Sequence, residues 1–282
     1  MITPALQAEI EREMKVNITS IAPLSAANYA QIYRMTCSGG EVFVAKVAER
    51  GLDSEAFMLK YLRQNTKLPV PQVYFCNEHV IIMEFIESHH VLDAQSQRHA
   101  AELLAALHGI QGKLYGFERD MLVGLLRQPN TQSPDWVGFF TQHRLLYMAA
   151  EALKEQKIDA KTMKQCEKLA GKLKKYITQP APPSLSHGDV WSGNFLAGRG
   201  VILAFLDPAI YYADPEVELA TIHAFKTFDE NFFARYNEIR PIRPGFFEER
   251  ADIYALYPLL VHARLFGLSY ARRVQRILDR FV

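Results

Sequence analysis

Cysteine is scarce in this chain: three in 282 residues, Cys37, Cys76 and Cys166, at spacings that match no metal-binding pair. Free, buried thiols are the expectation for all three, with a redox contact between chains through Cys37, beside the Gly39-Gly40 turn, as the lesser reading. Charge of one sign is also missing. Lys+Arg number 32 and Asp+Glu 31, leaving net +1, so nothing points to nucleic acid or an anionic membrane as partner. Neither a charged-then-apolar leader nor an apolar run of membrane-spanning length is seen, and no internal repeat or low-complexity tail. A cytoplasmic protein acting on a small ligand is expected, with 49% apolar residues enough to fill one large domain or two lobes.

What the chain does contain is concentrated in Ser186-His187-Gly188-Asp189-Val190-Trp191-Ser192-Gly193-Asn194, followed by Phe205-Leu206-Asp207-Pro208-Ala209. Phosphoryl transfer needs a carboxylate beside the attacking hydroxyl and oxygen ligands that hold magnesium on the nucleotide phosphates. Asp189 and Asn194 are five residues apart, the spacing of a kinase catalytic loop. Asp207 ends a hydrophobic run, Val201–Leu206, that reads as a buried strand delivering a carboxylate. Taken singly, each is also a common turn residue, and His187 alone reads as a packed histidine bracing the loop. In this order they form one constellation.

Upstream, residues 18–22, 29–37 and 41–47 have strand content, with Ser38-Gly39-Gly40 as a turn. Val42, Val44 and Lys46 alternate onto one face, so the lysine points where its apolar neighbours point and calls for an anion, or else snorkels to water. Ser54 reads as the cap of a helix over 54–62, in which Glu55 is either the ion-pair partner of Lys46 or a first-turn acid. Residues 70–75 and 79–86 complete five strands, and a polar run, Glu87-Ser88-His89-His90, suggests a boundary between residues 1–87 and 88–282. His89 and His90 read as surface residues.

Beyond the boundary the pattern turns helical. Apolar residues 100, 103, 104 and 107 mark a helix ending near Gly109; an aromatic segment opens a second at Trp136; Lys154 to Tyr176 reads as one solvated amphipathic helix. Tyr211–Asp214 reads as a turn, Glu216 to Phe228 as a helix with Asp214 and Glu216 as first-turn acids, and the remainder as paired helices.

His187-Gly188-Asp189-Val190-Trp191-Ser192-Gly193-Asn194 with Asp207-Pro208-Ala209-Ile210-Tyr211-Tyr212 resembles the fructosamine kinase (ketosamine-3-kinase) family. That family lies in the aminoglycoside phosphotransferase branch of the protein-kinase-like fold. The Pro129-Asn130 loop leading into Trp136 to Leu145, and Tyr254 to Gly267, extend the likeness, while Phe43-Val44-Ala45-Lys46 resembles the kinase strand whose lysine holds the nucleotide phosphates. It implies an α+β, two-lobed fold: a small antiparallel five-stranded N-terminal lobe and a larger helical C-terminal lobe. It also implies ATP and Mg2+, with Lys46 on the phosphates, Glu84, Phe85 and Ile86 at the adenine, Asn194 and Asp207 on the metal, and Asp189 at the acceptor hydroxyl. Glu218 stands where the family carries an acid bracing the catalytic loop, longer here by one methylene. Ala26-Ala27 stand where the family has glycines. The implied acceptor is the 3-hydroxyl of a ketosamine, free or on a glycated protein, with Trp191 either a wall of its pocket or a core residue. A kinase for another small alcohol (aminoglycoside, choline-like, aminosugar) and a non-catalytic nucleotide-binding protein remain open alternatives. So does the choice between monomer and weak homodimer.

Overall fold

The computed structural model describes residues 2–26, 29–88, 91–178 and 180–282; Ala27 of the expected nucleotide loop and the His89-His90 pair lie outside them. The chain starts with α1 (Pro4–Met14), where Thr3 Oγ1 accepts from Leu6 N at 3.2 Å and proline sits in the first turn, which needs no amide donor. Strands β1 (Ile18–Ala26), β2 (Ala30–Cys37) and β3 (Val42–Ala48) follow, with Gly40 at φ 89° in the turn where a side chain would be strained. After α2 (Leu52–Asn65) come β4 (Val73–Cys76) and β5 (Val80–Glu84). The five strands make one antiparallel sheet in the order β1-β2-β3-β5-β4.

The alternation expected of β3 holds. Phe43 and Ala45 turn to a small core with Ile10 of α1, Met35, Val80 and Ile82. Val44 and Lys46 face the other way, and Lys46 is register partner to Ile81, on the face covered by α2. One expectation fails here: α2 is capped by Gly51 (φ 87°), not Ser54. Leu52 is buried, so its apolar side chain pulls the first turn two residues earlier and leaves Ser54 inside the helix.

The rest is mainly helical. Helix α3 (Ala94–Leu107) carries a reciprocal capping box between Asp93 and Ser96. A hairpin unforeseen in the sequence, β6 (Met121–Val123) and β7 (Leu126–Gln128), precedes α4 (Trp136–Phe140), a π-helical turn (Thr141–Leu146) and α5 (Tyr147–Lys154). The lysine-rich stretch is not one helix. It breaks after α5, with Gln156 at φ 58° and Asp159 Oδ1 capping Thr162 N at 2.7 Å, and resumes as α6 (Ala160–Ala170) and α7 (Leu173–Tyr176). Then come β8 (Ser184–Ser186), β9 (Phe195–Gly198), β10 (Val201–Phe205) and β11 (Tyr211–Ala213). β11 pairs antiparallel with β8, so the expected turn at 211–214 is a strand. Helices α8 (Glu216–Phe225), α9 (Glu230–Ile239), α10 (Ala251–Phe266) and α11 (Leu268–Phe281) finish the chain, α8 stopping three residues earlier than expected at Lys226, φ 52°. One apolar cluster runs continuously from α2 and the inner face of the sheet through α3 and α8 to α10. Among the described residues no helix is long and apolar enough to cross a membrane.

Candidate active site

The loop between β8 and β9 is held from below by backbone geometry. Gly188 has φ 89°, and a Cβ there would lie 2.1 Å from the carbonyl oxygen of Ala209, so only glycine fits. Ala209 N donates to His187 O at 2.8 Å, joining this loop to the chain after Asp207. Glu218, in the first turn of α8, accepts from Gly188 N at 2.6 Å and from His187 N at 3.3 Å. His108 of α3 completes the clamp, with Nε2 2.8 Å from Glu218 Oε2 and Nδ1 2.7 Å from Tyr236 Oη. Burial pushes the Glu218 carboxyl up, but the His108 contact and the loop amides outweigh it and hold it below its usual range. His187 is buried against Phe205, and burial lowers its pKa, keeping the ring neutral. It packs beneath the loop, as a bracing residue does.

Above the turn, the acids expected from the sequence meet the lysine from the sheet. Lys46, 1% exposed, places Nζ 2.7 Å from Glu55 Oε2 and 2.8 Å from Asp207 Oδ1. Burial favours the neutral amine, but Asp207 and Glu55 reverse that and hold Lys46 charged. Burial also pushes Asp207 up, and the Lys46 ammonium overcomes it to hold the carboxyl below its usual range; Glu55, more deeply desolvated, is lifted to about 7. Asp207 itself sits at φ 51°, a conformation a non-glycine residue adopts at a cost of about 1–3 kcal/mol and keeps only where its surroundings fix it. Those surroundings include Leu206 N bonded to Asn194 O at 2.8 Å. Asn194 Nδ2 donates to Asp189 O at 2.9 Å and Asp189 Oδ2 at 2.8 Å, so the amide oxygen is the atom it could offer a metal. Asp189 is lifted to about 7 by burial first and by the charge of Asp207 second.

Lys46, Glu55 and Asp207 line a cavity of about 540 Å³ together with Ile32, Val44, Met83, Glu84, Phe85, Ile86 and Leu196; Asp189 and Asn194 lie outside its lining. Its lining combines apolar side chains with these charges, as a site for a flat heterocycle with phosphates attached requires. The Glu84 side chain accepts from Gln72 N at 3.1 Å. Trp191 is partly exposed beside Asp189, edge-on to His262 at 5.7 Å, and its ring covers Gly193 so closely that a Cβ there would fall 2.4 Å from it. Among the described residues no three His, Cys, Asp or Glu are grouped to hold a metal by themselves. The Asn194 amide oxygen and Asp207 carboxylate are hard donors, and magnesium typically takes one or two such ligands plus phosphate oxygens and water, so the donor set fits that ion.

Three residues here were not singled out from the sequence. Tyr29 Oη accepts from Lys46 Nζ at 3.3 Å and donates to Asp207 Oδ2 at 3.4 Å; its place at the end of the expected nucleotide loop was the available signal. His108 and Gln128 had none. Buried Gln128 donates to Ala209 O at 3.0 Å and accepts from Tyr257 Oη at 2.6 Å, fixing the carbonyl that Gly188 must avoid. Gln128 is followed by Pro129 and Asn130, whose O and Oδ1 each accept at 2.6 Å from Arg144, a buried guanidinium stacked 4.0 Å from the centre of the Tyr211 ring. Asp214 and Glu216 do more than face a helix dipole: they form buried ion pairs with Arg243 and Arg250, each at 2.6 Å.

Curated proteins are similar to this chain over most of its length. A probable ketoamine kinase of Vibrio parahaemolyticus is 31% identical over 277 residues, covering 94% of this chain and 93% of its own. The chloroplastic protein-ribulosamine 3-kinase of Oryza sativa subsp. indica is 31% identical, covering 94% and 79%. Among solved structures, a Thermobifida fusca protein described provisionally as a fructosamine-3-kinase superposes with TM-score 0.88 at 24% identity over 99% of both chains. Aminoglycoside phosphotransferase APH(4)-Ia, in ternary complex with AMP-PNP and hygromycin B, superposes at 0.67 with 16% identity over 98% of both, which places the fold in the kinase-like class. The family model described as fructosamine kinase matches residues 2–282, and the chain, a phosphotransferase, belongs to the fructosamine kinase family.

Proposed function

We propose that this chain transfers the terminal phosphoryl group of ATP to the 3-hydroxyl of a ketosamine, free or on a glycated protein. The observation that carries the reading is the meeting of Lys46, Glu55 and Asp207 within 2.8 Å contacts in the lining of the cavity, with Asp189 tied to Asn194 on the neighbouring loop. In this reading residues 1–87 form a nucleotide-binding lobe and residues 88–282 carry the catalytic loop and acceptor pocket. Lys46, steadied by Glu55, holds the α- and β-phosphates, and the backbone of Glu84, Phe85 and Ile86 meets adenine. Magnesium, when bound, neutralises charge on the phosphates; Asn194 and Asp207 are the residues that would hold it. Asp189 orients the acceptor hydroxyl and takes its proton, while Glu218 and His187 fix the loop that carries it. A carboxyl lifted to about 7 is matched to that task, since a general base works best near the operating pH. Trp191 offers a flat face to a sugar or its amine.

The relatives' names support the acceptor class, and the three unpaired cysteines accord with a cytoplasmic setting. The test is ATP consumption measured against ribulosamines, fructosamines, aminoglycosides and choline, with Asp189→Asn as control. Turnover confined to ketosamines and lost in the variant is expected. Turnover with aminoglycosides alone, or an Asn variant that keeps its rate, would overturn the assignment.

A further inference from the structure

Tyr29 stands at the junction the reaction depends on, yet the phosphoryl-transfer roles above leave it unused. Its ring lies beside the nucleotide cavity, with Cε1 only 3.4 Å from where a Cβ on Gly124 of the β6–β7 turn would be, so the hairpin backs it. Lys46 Nζ lies 5.2 Å from the centre of the same ring. The hydroxyl receives a hydrogen bond from the ammonium and gives one to the carboxylate, 3.3 and 3.4 Å away. A phosphate oxygen would take the first of these contacts and a magnesium ion would replace the second.

We propose that the Tyr29 hydroxyl, bonded to both members of the directly paired Lys46 and Asp207, competes with magnesium nucleotide for them, so that the nucleotide binds by displacing it. The hydroxyl thus sets nucleotide affinity. It takes a bond from one and gives a bond to the other of two charges that are themselves paired at 2.8 Å, and an incoming nucleotide has to break both. The inference rests on the cleft being the nucleotide site proposed above.

Tyr29→Phe keeps the ring and its packing on Gly124 and removes only the oxygen. Titration calorimetry with AMP-PNP and magnesium should show a Kd about three- to tenfold tighter in the variant, the loss of one or two ordinary hydrogen bonds from the free state. The gain should shrink without magnesium, when Asp207 no longer has to be vacated. In the unaltered sequence labelled with 3-fluorotyrosine, the 19F resonance that Tyr29→Phe removes should shift as the nucleotide is added. Equal or weaker binding by the variant, or a resonance that the nucleotide leaves in place, overturns the proposal. Failure of the unaltered chain to bind AMP-PNP at all would instead remove the nucleotide reading beneath it.

Discussion

Replacing Asp189 by Asn should make the protein more stable while abolishing turnover, and the gain should depend on pH. Burial and the nearby Asp207 charge lift this carboxyl to about 7, about three units above the ordinary aspartate value of about 3.9. At about 1.36 kcal/mol per unit the full penalty for holding the charged form would be about 4 kcal/mol. Asp189 is partly exposed at the cleft, and solvent screening reduces this to about 2 kcal/mol. The sign follows from proton counting. Below about pH 4 folded and unfolded chains both hold the proton, and the penalty vanishes; from there to about 7 only the folded chain holds it, so stability falls with rising pH; above 7 the loss is complete. Asn keeps an oxygen for the Asn194 amide, which donates at 2.8 Å. Calorimetric melting should therefore show a Tm about 3–4 °C higher for the variant at pH 8 and no difference at pH 4. A gap of the same size at both pH values, or a less stable variant at pH 8, would refute the claim that the site stores a desolvated charge.

Three further outcomes follow from the same geometry. Glu218→Ala leaves the His187 and Gly188 amides and His108 without their shared acceptor, and urea unfolding should show a loss of about 3–5 kcal/mol; a loss under 1 kcal/mol would show that the clamp carries little. Gly188→Ala drives a methyl into the Ala209 carbonyl, so kcat should fall at least about a hundredfold by misplacing Asp189 while nucleotide affinity changes little; equal losses in both would point to general unfolding instead. The acid limb of kcat/KM for the ketosamine should lie near pH 7, since Asp189 must be ionised, and should disappear with the activity in Asp189→Asn. A limb near the ordinary aspartate range of about 4 would contradict a desolvated Asp189 as the base.

The parts of the site that could be read in advance are those written into short stretches of chain. Asp189, Asn194 and Asp207 come as a motif, and Lys46 follows from strand alternation, because the geometry that unites them is local until the last fold contact. What escaped depends on partners far apart in sequence. His108 reaches Glu218 across 110 positions and Gln128 reaches Ala209 across 81, and neither leaves a periodic trace. Short elements escaped for a related reason. β11 has three residues and exists because β8 offers it hydrogen bonds, and the lysine-rich stretch breaks where Asp159 captures a new helix start, which hydrophobic spacing alone does not reveal. Ser54 misled because a serine before a helical run is a cap only if the burial of its neighbours lets the helix begin there.

The π-helical turn at Thr141–Leu146 has a bearing on that loop despite its distance in sequence. A widened turn of this kind holds one surplus residue, which changes the rotational phase of everything on one side of it relative to the other. Here the phase decides whether Arg144 points inward to its ring stack and to Pro129 and Asn130, the neighbours of Gln128. Excising a single residue from the turn would give a more regular helix and a worse enzyme, with the guanidinium swung away from its partners and the Ala209 carbonyl loosened two steps downstream.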